Sequence, residues 1–179
     1  DEFKLAGDLK KFFSEKRFDQ ESFLKMASQY SVSDEVLFHR LTQVLPSHFN
    51  AHQLFFLEMS VLDNENLKFV INKELHLSKL HSPHAVHSNE KYCRRWVAIK
   101  SLNKLRENPG LNQFLLGQIS VVEDGQQYFS MSLAFKSTIQ NDSLRSFTIG
   151  FLINEELKHF IKFIDDPILK KVEIGQTCE

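Results

Sequence analysis

Glu74–Leu105 reads ELHLSKLHSPHAVHSNEKYCRRWVAIKSLNKL. The segment predicts the end of a strand, a His-rich loop and one amphipathic helix. It holds His76, His81, His84 and His87, Cys93, the only tryptophan (Trp96) and the pair Arg94-Arg95. Apolar strand-like runs flank it on both sides. The expected arrangement is a sheet with this loop and helix beside a ligand pocket.

Upstream, the period is helical. Phe3, Leu5, Leu9, Phe12 and Phe13 recur at helix spacing through Arg17, and Phe18, Phe23, Leu24 and Ala27 continue to Gln29. Tyr30-Ser31-Val32 interrupts the pattern. Ser33 is a good N-cap for a third helix, with Asp34 and Glu35 placed where the helix dipole favours acids. Val36, Leu37, Leu41, Val44 and Leu45 form its apolar face, and Pro46 is expected to help end it. Helix, short turn, helix is helix-turn-helix grammar. The second helix offers His39, Arg40, Thr42 and Gln43 to a duplex, but an acidic start disfavours phosphate contact. A packing or linking role is the plainer reading.

From His52 the period shifts towards strand. Leu54–Val61 and Leu67–Leu77 predict a hairpin around Asp63-Asn64-Glu65-Asn66. Ser88 or Asn89 is expected to cap a helix from about Glu90 to Leu105, ended by Asn108-Pro109-Gly110. Phe114–Val122, Gln127–Phe135 and Leu144–Ile153 follow as strands, with Glu123-Asp124-Gly125 as a hairpin turn. Asn154 caps a predicted helix through Phe163, and Lys171–Ile174 makes a last short strand. The fold class expected is α+β: an N-terminal helical, helix-turn-helix-like segment, then an antiparallel sheet with packed helices of GAF/PAS-like build.

Composition bounds the function. The chain has 179 residues, 42% hydrophobic and 25% charged, which suits a globular domain rather than a disordered tail. A formal net charge of −1 attracts neither nucleic acid nor an anionic membrane globally, so anion binding must be local. No apolar run approaches the roughly 18 residues that span a bilayer. Two cysteines far apart do not make a disulfide scaffold, and a soluble, reducing, cytoplasmic setting is expected. The seventeen phenylalanines either fill a core or line an apolar cavity. Phe55, Phe69, Phe129 and Phe147 follow strand alternation and are expected in the core. The chain ends at Thr177-Cys178-Glu179 and reads as a piece of a longer protein.

Several residues then become recognisable. Ser33-Asp34-Glu35-Val36 running to His39-Arg40-Leu41-Thr42 and Leu45-Pro46 resembles the segment that follows the peptidase core of ImmA/IrrE-type proteins. Lys73-Glu74-Leu75-His76-Leu77-Ser78-Lys79-Leu80-His81, Tyr92-Cys93-Arg94-Arg95-Trp96, Asp165-Asp166-Pro167 and Gly175-Gln176-Thr177-Cys178-Glu179 resemble the C-terminal domain of the short-chain fatty-acyl transcriptional regulators. Those bacterial regulators carry an XRE-type helix-turn-helix, an ImmA/IrrE-like region and then this domain. The resemblance implies residues 1–48 as the part after the peptidase core and 49–179 as a GAF/PAS-like sensor. It implies a short-chain acyl-CoA or related metabolite as effector, a homodimer, and DNA contact through an N-terminal domain outside this chain. The family motif continues past Thr-Cys-Glu with an Arg and another Cys, and no His-Glu-x-x-His occurs here.

The candidate residues carry two readings each. Arg94 and Arg95 supply planar forks of donors suited to phosphates, or they are a solvated helix face. Tyr92 and Trp96 line an acyl pocket or stack on adenine, although a lone Trp on an amphipathic helix is more often core. His81 and His84 border the expected pocket. With His76, His87 and Cys93 they also suggest zinc, against which a His-rich polar loop is the commoner case. Cys93 and Cys178 are the thiol candidates for a metal or iron–sulfur centre; two thiols fall short of a four-cysteine site, and buried idle thiols are commoner. No nucleophile elbow, phosphate loop or GxGxxG is present, so no enzyme activity is expected. The competing classes are an accessory domain of an ImmA/IrrE-type metallopeptidase and a ligand-free dimerisation module.

Overall fold

The computed structural model describes residues 2–63, 68–77, 92–137 and 143–175. Three helices lead: α1 (Glu2–Ser14), α2 (Gln20–Ser28) and α3 (Asp34–Phe49). The hairpin β1 (Leu54–Asp63) and β2 (Lys68–His76) follows, then α4 (Val97–Glu107), β3 (Gln113–Val121), β4 (Gln127–Lys136), β5 (Leu144–Leu152), α5 (Glu155–Phe160) and β6 (Lys171–Glu173). The sheet order is β2-β1-β5-β4-β3-β6. Every neighbouring pair is antiparallel except β3 with β6, so the sheet is mixed, an α+β fold.

Side-chain alternation divides the sheet into two faces. One carries Phe56, Leu115, Ile119, Phe129, Leu133, Phe147, Ile149 and Phe151, all buried against α1–α3 and α5. Phenylalanine fills this layer. Phe12 meets Phe23 and Phe163 edge-on, each at 5.3 Å between centroids, and Phe18 meets Phe129 at 6.0 Å. Such edge-to-face pairs add stability beyond burial itself. The opposite face carries Phe55, Leu57, Met59 and Val61, which pack with Ala98, Ile99, Leu102 and Leu105 of α4. Phe129 and Phe147 thus sit in one core, Phe55 and the half-buried Phe69 in the other.

Several boundaries differ from the sequence expectation, each for a local reason. Ser33 caps α3 as expected, accepting from Val36 N at 3.3 Å. Pro46 lies inside that helix rather than at its end; α3 continues to Phe49 and closes on Asn50 in the left-handed conformation, φ 54°. Asn tolerates that cap well. The helix expected from Glu90 begins at Val97, because Trp96 N–H bonds to Cys93 O at 3.0 Å and closes a turn first. Ser88, Asn89 and Glu90 lie outside the described residues. The helix expected through Phe163 stops at Phe160, because Lys162 N–H crosses to Phe13 O, at 2.8 Å, instead of continuing the ladder. The first helix ends at Ser14 rather than Arg17; Asp19 starts the next one by capping Glu21 N at 2.9 Å. Gly125 takes φ 83° in the β3–β4 turn, as its Asp-Gly sequence requires.

Candidate functional site

Tyr92–Trp96 forms the turn that leads into α4. Trp96 is 1% exposed, and its indole N–H donates to Gly175 O at 2.8 Å. That bond ties the head of α4 to the segment after β6. Tyr92 packs on Trp96 with ring centroids 5.4 Å apart. Cys93 lies between them, fully buried and free. Burial by itself raises the pKa of its thiol. Hydrogen bonds from the backbone N–H groups of Gly175 and Arg95, and from the Arg95 guanidinium, outweigh burial and hold the thiol below its ordinary value. These donors ease loss of the Cys93 proton relative to an ordinary cysteine.

Arg94 and Arg95 are exposed on this turn, not on the helix. They therefore stand before the helix amides rather than beside them. Trp96 is the N-cap residue and makes no side-chain cap; the first turn of α4 holds no acid. A helix start that its N-cap side chain does not satisfy favours a negative group.

The floor beneath α4 is polar. Gln118 is 2% exposed and donates through Nε2 to Arg95 O at 3.2 Å and to Ser120 Oγ at 3.0 Å. Ser120 donates to Ser130 at 3.3 Å. A second chain joins Ser101 of α4 to Ser132 at 2.9 Å, with Thr148 donating to Ser132 at 2.9 Å. Lys100 Nζ reaches down to Gln118 Oε1 at 2.8 Å. Burial pulls the Lys100 pKa below the ordinary lysine value, and the cations of Lys170 and Arg95 pull the same way against the pull of Cys93.

A different charged cluster lies on the other face. Glu58, 1% exposed, forms an ion pair with Arg145 and accepts from Asn72 Nδ2 at 3.2 Å. Lys73 bonds to Glu35 at 2.6 Å and lies 3.8 Å from Glu58, so β2 is tied to the start of α3. Arg145 spreads over Phe147, 5.6 Å from the ring centroid. Two clefts are built from described residues. One of about 390 Å³ lies between the α3–β1 link and α5, lined by Asn50, His52, Phe151 and Glu156 among others. The other, about 420 Å³, borders Tyr30–Asp34 and Gln113. Neither includes the arginines.

The structure therefore brings Tyr92, Cys93, Arg94, Arg95 and Trp96 together at one corner. His81, His84 and Cys178 lie outside the described residues, as does His87. Among the described residues, no group of three His, Cys, Asp or Glu is placed to hold a metal. Of the groups that α3 offers to a duplex, Thr42 is buried and bonds His39 O at 2.8 Å, while Arg40 bonds Gln43 at 2.8 Å. Sequence reasoning missed Lys100, Gln118, Glu58 and Arg145. Glu58 and Gln118 interrupt otherwise apolar strands, and that was the available signal. Asp166 accepts from Ile168 N at 3.0 Å to close a turn, and also from Phe18 N at 2.8 Å, which pins the α1–α2 link.

No family model and no curated protein matches the sequence. Among solved structures, a Mycobacterium tuberculosis transcriptional regulator is similar over 99% of this chain, with a TM-score of 0.55 and 16% identity. The chain spans about half of that protein, 49% of its length. At this identity the likeness establishes a shared fold.

Proposed function

We propose that this chain is the effector-binding region of a bacterial transcriptional regulator, and that its effector is a short-chain acyl-CoA or a related anionic metabolite. The observation that carries the reading is the corner at the head of α4. Two exposed arginines stand before a helix start that Trp96 does not cap and whose first turn holds no acid, on a fold shared with a regulator. Arg94 and Arg95 would meet phosphate oxygens through their forked donors. Tyr92 offers an aromatic edge for the adenine or acyl part. Trp96 has its ring packed and its N–H satisfied, so its part is to hold the turn in shape. His81 and His84 belong to the same proposed site through their place in the sequence.

Effector binding would act by favouring one arrangement of the domain and so of a homodimer with DNA-reading domains elsewhere in the protein. The expected location is the cytoplasm; among the described residues no helix is long and apolar enough to cross a membrane. Thermal unfolding with propionyl-CoA tests the reading. A ligand at about a hundredfold over its Kd adds about 2.7 kcal/mol, a rise of about 5–10 °C for a domain of this size. Replacing Arg94 and Arg95 with Ala should shrink that rise. No rise with any acyl-CoA removes the effector reading.

A second reading is favoured by the buried Cys93, whose surrounding N–H donors hold its thiol below its ordinary pKa and so ease formation of the thiolate that binds metals. Cys93 fits as one ligand of a zinc or iron–sulfur centre; the described residues do not supply the others, so Cys178 and the histidines would have to complete it. Metal content and visible absorption of anaerobically purified protein, compared with Cys93→Ser, decide it. Metal-free, colourless protein would discard this centre.

A further inference from the structure

Lys100 is a half-buried cation bound to a neutral partner. Its ammonium donates to Gln118 Oε1 at 2.8 Å, and Gln118 is itself locked by Arg95 O and Ser120. No carboxylate pairs with Lys100 among the described residues. The charges that act on it are the cations Lys170 and Arg95 and the thiol of Cys93. A charge removed from water is ordinarily paired. Lys170 stands close by: its carbonyl accepts from Ile119 N at 3.1 Å, the residue after Gln118, and its side chain is exposed, with no carboxylate paired to it among the described residues.

We propose that Lys100 and Lys170, with Arg95 beside them, form a seat for a phosphate or pyrophosphate group. An ammonium has three donors. Gln118 takes one from Lys100, which leaves two N–H groups for phosphate oxygens. Two ammonium groups and a guanidinium match a group carrying two or more negative charges better than a single carboxylate does. The seat deepens the effector reading and rests on it for the identity of the whole ligand, though not for the existence of the site.

Calorimetric titration with inorganic pyrophosphate, run beside propionyl-CoA, tests it. The variants are Lys100→Met, Lys170→Met and the control Lys104→Met, an exposed lysine whose ammonium already pairs with Glu107 at 3.3 Å. Pyrophosphate should bind wild type and Lys104→Met alike. Lys100→Met should weaken it at least about tenfold, the usual loss for a hydrogen bond to a charged group, and Lys170→Met should weaken it severalfold. Lys170 is exposed, so that variant remains informative should Lys100→Met fail to fold. Pyrophosphate bound equally by wild type and both variants, or not bound by wild type, overturns the seat. Propionyl-CoA bound with no effect of either variant overturns the seat and leaves the effector reading standing. Pyrophosphate lost in the variants, with propionyl-CoA ignored throughout, supports the seat and ends the effector reading.

Discussion

Replacing Arg145 with Met should destabilise the fold far more than replacing Arg145 and Glu58 together. Glu58 is 1% exposed, and Arg145 is its closest cation. Removing one partner of a buried pair strands the other and costs about 3–5 kcal/mol. Lys73, 3.8 Å from the other carboxylate oxygen, and Asn72, at 3.2 Å, recover part of the loss. Lys73 is itself half exposed, at 51%, and its contribution is weakened by solvent. The low end, about 3 kcal/mol, is therefore expected. For a domain of this size that lowers Tm by about 6–12 °C. The Glu58→Met/Arg145→Met pair leaves no stranded charge and fills the site with two flexible apolar chains, so it should lie within about 1.5 kcal/mol of wild type. Urea unfolding and calorimetry measure both variants. A single variant as stable as wild type, or a double variant as weak as the single, refutes the reasoning.

Other expectations follow from the same contacts. The Lys73 hydrogen bond holds the Glu35 carboxyl below its ordinary pKa of 4.5, so this contact stabilises the fold above that pH and fades as Glu35 is protonated on further acidification; the Tm gap between wild type and Glu35→Gln should be open at pH 7 and narrow as the pH falls below 4.5 through the lowered pKa, and a constant gap would contradict it. Trp96→Phe keeps a ring but abandons the 2.8 Å bond to Gly175 O, and should cost at least about 1 kcal/mol in urea unfolding. Gly125→Ala, forced to φ 83°, should cost about 1–2 kcal/mol by the same assay; no loss would mean that the turn relaxes. Cys93, with no exposed surface, should react with a thiol reagent only after unfolding even though its pKa is lowered, and rapid labelling of Cys93 in native Cys178→Ser protein would count against its placement.

How far these features could be read from sequence depends on how local their causes are. The alternation in Gln127–Lys136 and Leu144–Leu152 placed both strands within a residue or two, because each side chain's face follows from its neighbours alone. Ser33 announced α3 for the same reason. The head of α4 was misplaced because its cause is distant: Trp96 is held by Gly175, 79 residues on. The end of α5 depends on Phe13 O, almost the full chain away. The β6 strand was seen, but its parallel partnership with β3 leaves no mark in three residues. At the site, the aromatic and arginine residues of Tyr92–Trp96 stood out by type. Lys100 did not, since one lysine among several on a helix reveals its half-buried place over Gln118 only when the sheet beneath it is known.

The most direct test of the account is a two-dimensional amide NMR titration of the chain with propionyl-CoA. The account predicts shift changes concentrated at Arg94–Lys100, Gln118 and Lys170, saturating at one ligand per chain. Spectra unchanged at millimolar ligand, or changes confined to the cleft around Asn50–Gln53 and α5, would contradict it.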